Sequence, residues 1–273
     1  MIAFPNCKIN IGLNIINKRD DGFHNLESVF YPVSLCDILE ITENKNNEPT
    51  QIINTGLVVD CPMEKNLCFK AYQLLKKDFD LPEVTIHLHK IIPFGAGLGG
   101  GSSDAAFSIT LLNSLFSLNL SNEKMREYAA ILGSDCAFFI ENKAAIATGR
   151  GEILKPIELN LLEYSIILVK PQINISTAEA FSGLKPETPN YSLQLSINQH
   201  ITEWKNALQN DFEKHLFLKY PILSEIKSVL YQQGALYAAM SGSGSTIYGI
   251  FEKGTNFKHL KEIFATAQVF EIQ

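Results

Sequence analysis

Apolar positions along this chain recur in two rhythms, and the points where one gives way to the other mark its elements. Residues 9–16 (INIGLNII) and 23–35 (FHNLESVFYPVSL) carry strand-like patterns, joined through NKRDDG, whose Asp21-Gly22 pair predicts a tight turn. Residues 37–44 (DILEITEN) predict a further strand, and 46–50 a polar loop. Over 66–79 the apolar residues Leu67, Ala71, Leu74 and Leu75 fall at helical spacing, whereas VTIHLHK at 84–90 alternates and predicts a strand. A glycine-rich run follows it. Beyond that run, Ala106, Ile109, Leu112 and Leu115 or Phe116 line one face of a helix. Ser121 is placed to cap the next helix and Gly133 to close it. AAIATG and the turn GRGE (149–152) complete a mixed α/β half.

From Tyr164 the texture changes. SIILVKP (165–171) predicts a buried strand, and 183–198 is rich in Pro, Ser and Asn. Helices are expected over about 202–218 and 221–233, then a strand, SGSGS (241–245), the strand TIYGIF, a helix and a last strand. Helices alternating with short strands predict an α+β fold, an α/β two-layer sandwich. The change of texture divides the chain into an N-terminal domain, 1–160, and a C-terminal domain, 161–273.

Bulk numbers narrow the classes. At 273 residues the chain is long enough for sizeable cores. Hydrophobic residues make up 46% and charged residues 19%, as in an ordinary folded protein. The net charge of −6 argues against a general nucleic-acid or anionic-membrane surface, so any polyanion must be held locally. The five cysteines (Cys7, Cys36, Cys61, Cys68, Cys136) are scattered and form no C-x-x-C pair, which predicts reduced thiols in a cytoplasmic protein. The opening MIAFPNCK lacks the marks of an export signal, and no apolar run reaches the roughly 18 residues of a membrane span. A soluble, unexported protein is expected.

The most informative stretch is PFGAGLGGGSSDAA, from 93 to 106. Glycine leaves backbone N–H groups unshielded, and a helix start adds unpaired N–H groups and a positive dipole end. Together these make a phosphate cradle. GAGLGG fits G-x-G-x-x-G, but a dinucleotide site needs a hydrophobic strand with an acid after the helix. Here a second helix, SNEKMREYAAIL, follows instead. A P-loop needs Lys-Ser/Thr after its last glycine, and this loop runs Gly101-Ser102-Ser103-Asp104. The VAIK, HRD and DFG signatures of a protein kinase are missing downstream. What remains is a serine-ended glycine loop whose lysine, if it has one, comes from elsewhere.

Phosphoryl transfer onto an alcohol needs phosphate positioning, charge neutralisation and an acceptor for the hydroxyl proton. Lys8, in the first strand, and Asp135, just before the apolar run from Cys136 to Phe139, complete that set with the glycine loop. Lys8 is equally readable as part of a solvated face and Asp135 as a turn or capping aspartate, and spacing alone leaves both open.

Motifs spread along the chain give a resemblance. N-x-K-I-N lies at 6–10, P-x-G-x-G-L-G-G-G-S-S-x-A-A at 93–106 and M-S-G-S-G-S at 240–245. With them come R-x-D-G-F-H (19–24), E-K-N-L (64–67), L-G-S-D (132–135), G-R-G-E (149–152) and N-D-F-E (210–213). The chain resembles the GHMP kinase superfamily of galacto-, homoserine, mevalonate and phosphomevalonate kinases. Its G-L-G-G-G-S-S loop resembles the branch that phosphorylates a cytidine-diphosphate-linked methylerythritol at its 2-hydroxyl, on the non-mevalonate route to isoprenoid precursors; sugar and mevalonate kinases usually carry G-L-G-S-S. The resemblance implies two domains, the second ferredoxin-like, with the active site in the cleft between them. It implies ATP and Mg²⁺ as cofactors and a monomer or homodimer.

Residue by residue, the resemblance implies that Lys8 and Asp135 form the catalytic pair, the aspartate taking the hydroxyl proton and the lysine orienting it and offsetting charge. Pro93, Phe94, Gly95, Ala96, Gly97, Leu98, Gly99, Gly100, Gly101, Ser102 and Ser103 would form the ATP loop. Ser102 or Ser103 would touch the metal. Asn10 would hold the polar substrate, and Phe23, His24 and Phe181 would form a cytosine pocket, aromatic stacking on a base contributing about 1–3 kcal/mol. Without the resemblance, Phe23 and His24 would also read as an aromatic plug at a hairpin end. Phe23 stands where tyrosine is usual in that motif, and Cys7 where alanine precedes the lysine, bringing a thiol open to modification. A homoserine- or mevalonate-type kinase and an inactive ligand sensor on the same fold are the competing readings. The first would need no cytosine pocket, and the second would tolerate loss of the lysine, aspartate or glycine loop.

Overall fold

The computed structural model describes residues 1–272 apart from 46, 47, 60, 185, 188 and 190, so the polar loop expected at 46–50 lies partly outside the described residues. In chain order the first strands are β1 (Ile2–Ala3), β2 (Asn6–Lys18), β3 (His24–Cys36), β4 (Ile38–Glu43), β5 (Gln51–Gly56) and β6 (Val84–Lys90). They are followed by β7 (Ala145–Thr148), β8 (Ile153–Pro156), β9 (Tyr164–Lys170), β10 (Tyr237–Met240), β11 (Ile247–Glu252) and β12 (Gln268–Ile272). The helices begin with α1 (Leu67–Asp78), α2 (Gly100–Leu115), α3 (Asn122–Leu132), α4 (Phe138–Glu141) and α5 (Thr177–Ser182). They end with α6 (Leu193–Ile197), α7 (Trp204–Ala207), α8 (Glu213–Lys219), α9 (Pro221–Gln232) and α10 (Lys258–Ile263).

The chain packs as two compact units, each discontinuous in sequence. The first comprises Met1–Cys7, Ser34–Phe94 and Gly99–Lys143; the second comprises Lys8–Val33, Gly95–Leu98 and the chain from Ala144 onward. In this grouping β3 pairs with β7 (Ser28 with Ala147, Phe30 with Ala145), which draws most of the opening hairpin to the later chain.

In the first unit, the sheet order is β1-β4-β6-β5. Val84, Ile86 and Leu88 alternate inward from β6 and are buried with Leu75 of α1, Ile109 and Leu112 of α2 and Ala129 of α3. Each such aliphatic chain contributes about 1.5–3 kcal/mol on burial. The helical face expected on α1 is rotated slightly: Cys68, Ala71, Tyr72 and Leu75 are buried, while Leu67 and Leu74 are partly so. The Ser121 cap is as expected, its side chain accepting from Lys124 N–H at 3.2 Å. Gly133 does close α3, but with extended backbone (φ 173°) rather than a left-handed turn, because the chain goes straight into the next turn.

In the second unit, an antiparallel sheet runs β10-β11-β9-β12. Ile167 and Val169 of β9 and Ile247 and Phe251 of β11 share a core with Leu216 of α8 and Leu223, Ile226 and Leu230 of α9. The helix expected over 202–218 is broken into α7 and α8. Residues 209–211 leave helical geometry to bond beside β2, with Leu13 N–H donating to Gln209 O (2.7 Å) and Asp211 N–H donating to Leu13 O (2.9 Å).

Candidate active site

β2 carries Lys8 and Asn10 two residues apart, so both point to one face. Lys8 is only 3% exposed, which excludes a solvated face. A buried ammonium needs partners. It donates to Asn10 Oδ1 and lies 4.5 Å from the centre of the Phe30 ring. Asn10 Nδ2 donates to Ser28 Oγ at 2.8 Å, and Ser28 Oγ donates to Gly12 O at 2.6 Å. The Asn10 amide is therefore fixed with its oxygen toward the lysine.

The middle of the glycine loop joins this network inside the second unit. Lys8 N–H donates to Leu98 O (2.9 Å), and Thr246 N–H to Ala96 O (3.2 Å). Ser241 Oγ accepts from Asn10 N–H (3.2 Å) and donates to Gly97 O (2.8 Å). Lys8, Asn10, Ser241 and Gly97 thus form one continuous hydrogen-bonded chain. Gly97 has φ +74°, and a Cβ there would sit 1.9 Å from Ser241 O, so the approach admits only glycine. The 241–246 segment is in turn held by Asn210, 2% exposed, whose Nδ2 donates to Met240 O and Gly242 O at 2.8 Å each.

The outer parts of the loop belong to the first unit. Gly99 takes φ +70° as the residue before α2, and Ser103 N–H donates to Gly99 O at 2.9 Å. That is the first bond of the helix, so the N–H groups of Gly100, Gly101 and Ser102, ahead of it in the first turn of α2, have no carbonyl partner within the helix. Ser103 is fully buried, and among the described residues its Oγ has no hydrogen-bond partner. Pro93 and Phe94 lead into the loop, Phe94 being 45% exposed. Asp135 lies half-buried in the turn between α3 and α4. Its neighbour Cys136 is buried. Burial pushes the Cys136 thiol up to about 12, Ser102 opposing and Asp135 reinforcing the shift.

Two of the three residues expected in an aromatic pocket meet in the second unit. The His24 and Phe181 rings are stacked, centroids 4.8 Å apart at 26°. Phe181 also meets Phe212 edge-on at 5.0 Å. Phe23 is 52% exposed, and the Arg150 guanidinium lies 4.9 Å from its ring centre. The Phe23 turn is held by Asp21, whose Oδ1 accepts from Phe23 N–H at 3.1 Å and whose Oδ2 pairs with Arg19 at 2.8 Å. His24 is held below its ordinary value by burial first and by Lys18 second. Cys7 is fully buried and its thiol is pushed up by burial, so it is not the modifiable thiol expected from its position.

Ser28, Asn210 and Ser241 were not picked out as site residues. The signal for two of them was present in the M-S-G-S-G-S and N-D-F-E motifs, which Asn210 and Ser241 join physically. Ser28 carried no local signal, because its role depends on the pairing of β2 with β3.

Comparisons with known proteins give the family. Residues 66–143 match the family model for the GHMP kinases N terminal domain, and residues 192–267 that for GHMP kinases C terminal. The chain is 55% identical over 252 residues to 4-diphosphocytidyl-2-C-methyl-D-erythritol kinase of Bacteroides fragilis, covering 92% of each chain. It is 47% identical over 273 residues to the kinase of that name from Parabacteroides distasonis, covering all of this chain and 99% of the other. A crystal structure of 4-(cytidine 5'-diphospho)-2C-methyl-D-erythritol kinase matches with a TM-score of 0.83 at 28% identity, over all of this chain and 98% of that one. With both kinase domains matched and identity sustained along the chain, this protein belongs to the GHMP kinases and, within them, to the 4-diphosphocytidyl-2-C-methyl-D-erythritol kinase family.

Proposed function

We propose that the chain transfers the γ-phosphoryl group of ATP to the 2-hydroxyl of 4-diphosphocytidyl-2-C-methyl-D-erythritol, on the non-mevalonate route to isoprenoid precursors. The observation that carries the reading is the hydrogen-bonded chain from Gly97 through Ser241 and Asn10 to Lys8, which joins a phosphate-binding backbone to a buried cation. In this reading the backbone N–H groups of 94–102, in the loop that Pro93 opens and Ser103 closes, receive the ATP phosphates. Lys8 offsets charge that develops as the phosphoryl group moves, and Asp135 accepts the proton of the attacking hydroxyl. Asn10, with its amide locked by Ser28, holds a substrate hydroxyl. His24 and Phe181 offer flat faces to the cytosine, and Phe23 borders them.

Mg²⁺ suits the donor set at the start of α2. Ser103 presents a buried hydroxyl with no hydrogen-bond partner among the described residues, a hard oxygen of the kind that ion takes. Among the described residues no group of three or more His, Cys, Asp or Glu could hold a metal, so the ion would arrive with the triphosphate. Ser102 or Ser103 would touch it, and it would supply charge neutralisation on the phosphates. Among the described residues no helix is long and apolar enough to cross a membrane. We place the enzyme in the cytoplasm as a monomer or homodimer acting on small molecules.

The test is ADP release from ATP and Mg²⁺ with the diphosphocytidyl alcohol, beside homoserine, mevalonate and galactose. Turnover confined to the cytidine compound is the expected result. Turnover of another alcohol would keep the kinase and discard the cytosine pocket, and no turnover with any of the four would leave a ligand sensor.

A further inference from the structure

A glycine loop with no lysine after its last glycine raises the question of what a neighbouring cation does for it. Lys90 ends β6, three residues before Pro93, and its side chain is 1% exposed. It donates to Asp37 Oδ2 and, at 2.7 Å, to Asp104 Oδ2. The other oxygen of Asp37 accepts from the backbone N–H groups of Ile91 (2.6 Å) and Ile92 (2.9 Å). Asp37 joins β3 to β4 and Asp104 lies near the start of α2. One ammonium therefore ties together the end of β6, the β3–β4 junction and the phosphate-binding end of α2, all within the first unit.

This cation cannot serve a triphosphate directly. It is sealed from solvent and already faces two carboxylates. Its surroundings point to a mechanical part instead. The Phe94 ring lies 5.2 Å from Nζ. A Cβ at Gly100 would come within 3.3 Å of Nζ and 2.8 Å of Ile92 Cγ2, so the glycine there lets the first turn of α2 press onto the strand end. Replacing a buried ion pair by apolar groups is often neutral or stabilising. Stability is therefore a weak reason for this cluster, and geometry a stronger one.

We infer that Lys90 is a positioning residue of the ATP loop: clamped by Asp37 and Asp104, it fixes the first turn of α2, and with it the N–H groups that receive phosphate. The inference rests on reading 93–103 as the ATP loop.

Lys90→Met alone strands two buried carboxylates and is expected to unfold the protein. The deciding variant is Lys90→Met with Asp37→Asn and Asp104→Asn, which removes all three ionisable groups together. Its melting temperature is measured first, then KM for ATP and for the diphosphocytidyl alcohol, and the Kd of ATP by calorimetry without the alcohol. The expected result is a folded protein whose KM and Kd for ATP rise at least tenfold while KM for the alcohol stays within twofold. A folded triple variant with wild-type values for ATP overturns the role of Lys90, as does an equal rise in both KM values. If the triple variant does not fold, Asp104→Asn alone, which keeps the shape, must raise the Kd of ATP at least threefold, and no rise overturns the inference. Wild-type protein that binds no ATP would remove the loop reading itself.

Discussion

Lys8 holds a charge at 3% exposure beside the Asn10 amide and the Phe30 ring. Asp135, the proposed proton acceptor, stands half-exposed in a turn. The two residue types were legible in the chain, but their burial was not, since it follows from strand pairing far along the sequence. Replacing Asp135 by Asn removes a proton acceptor with little change of shape. Turnover should fall at least about a hundredfold, the scale of general-base effects, with ATP and alcohol binding retained by calorimetry. Near-normal turnover would take Asp135 out of its assigned role. The cysteines can be ranked in the same way. Burial pushes the thiols of Cys7, Cys68 and Cys136 upward, and Cys61 alone of the five is exposed. Because the thiolate is the reactive form, iodoacetamide on the folded protein should label Cys61 first and Cys7, Cys68 and Cys136 last, read by mass spectrometry. Early labelling of Cys7 would contradict the packing around β2.

Elements with a strong local period were readable, and elements made by distant partners were not. VTIHLHK alternated and became β6; the capped, periodic segments became α1, α2 and α3. β5 was missed because QIINTG is largely polar and its order comes from parallel pairing with β6, Gln51 opposite Thr85 through Gly56 opposite Lys90. The break between α7 and α8 was hidden for a related reason. Local spacing favours a helix there, whereas residues 209–211 gain hydrogen bonds to Leu13 of β2. Asn210 then holds the 240–242 backbone and accepts from Phe212 N–H at 3.0 Å. Asn210→Ala leaves buried polar backbone groups unpaired and should cost about 1–3 kcal/mol, visible as a lower urea midpoint at unchanged slope. A shift too small to measure would mean that the 240–242 backbone holds its place without Asn210.

At the scale of the molecule, two histidines tie part of the stability to pH. Burial lowers the folded-state pKa of both His24 and His215, Lys18 adding to the first, and Lys219 adding to the second against the opposing Ala180 backbone bond. The unfolded chain, with histidines near about 6.5, therefore takes up protons first as pH falls. By linkage, the stability these groups contribute is complete above that value and is lost on going below it. From pH 7 down to 5, the urea midpoint of His24→Gln should lose less, relative to its value at pH 7, than that of the wild-type protein. An identical loss in the variant would show that His24 carries none of it. The kinase assignment was itself legible, because its motifs are short and local; the grouping of the chain into two discontinuous units was not, because β3 pairs with β7 across more than a hundred residues.

The closeness of Gly97 to Ser241 has a consequence for engineering and for descent. The bend of the loop at Gly97 is moulded against a backbone 144 residues further along. The stretch 93–103 is therefore not a portable cassette. Grafted onto another scaffold it would bring its glycines but lose the surface that shapes them, and a fragment ending near residue 160 would carry the sequence without the fit. Change at position 97 is tied to movement at 241, so the two distant motifs must vary together or stay fixed together.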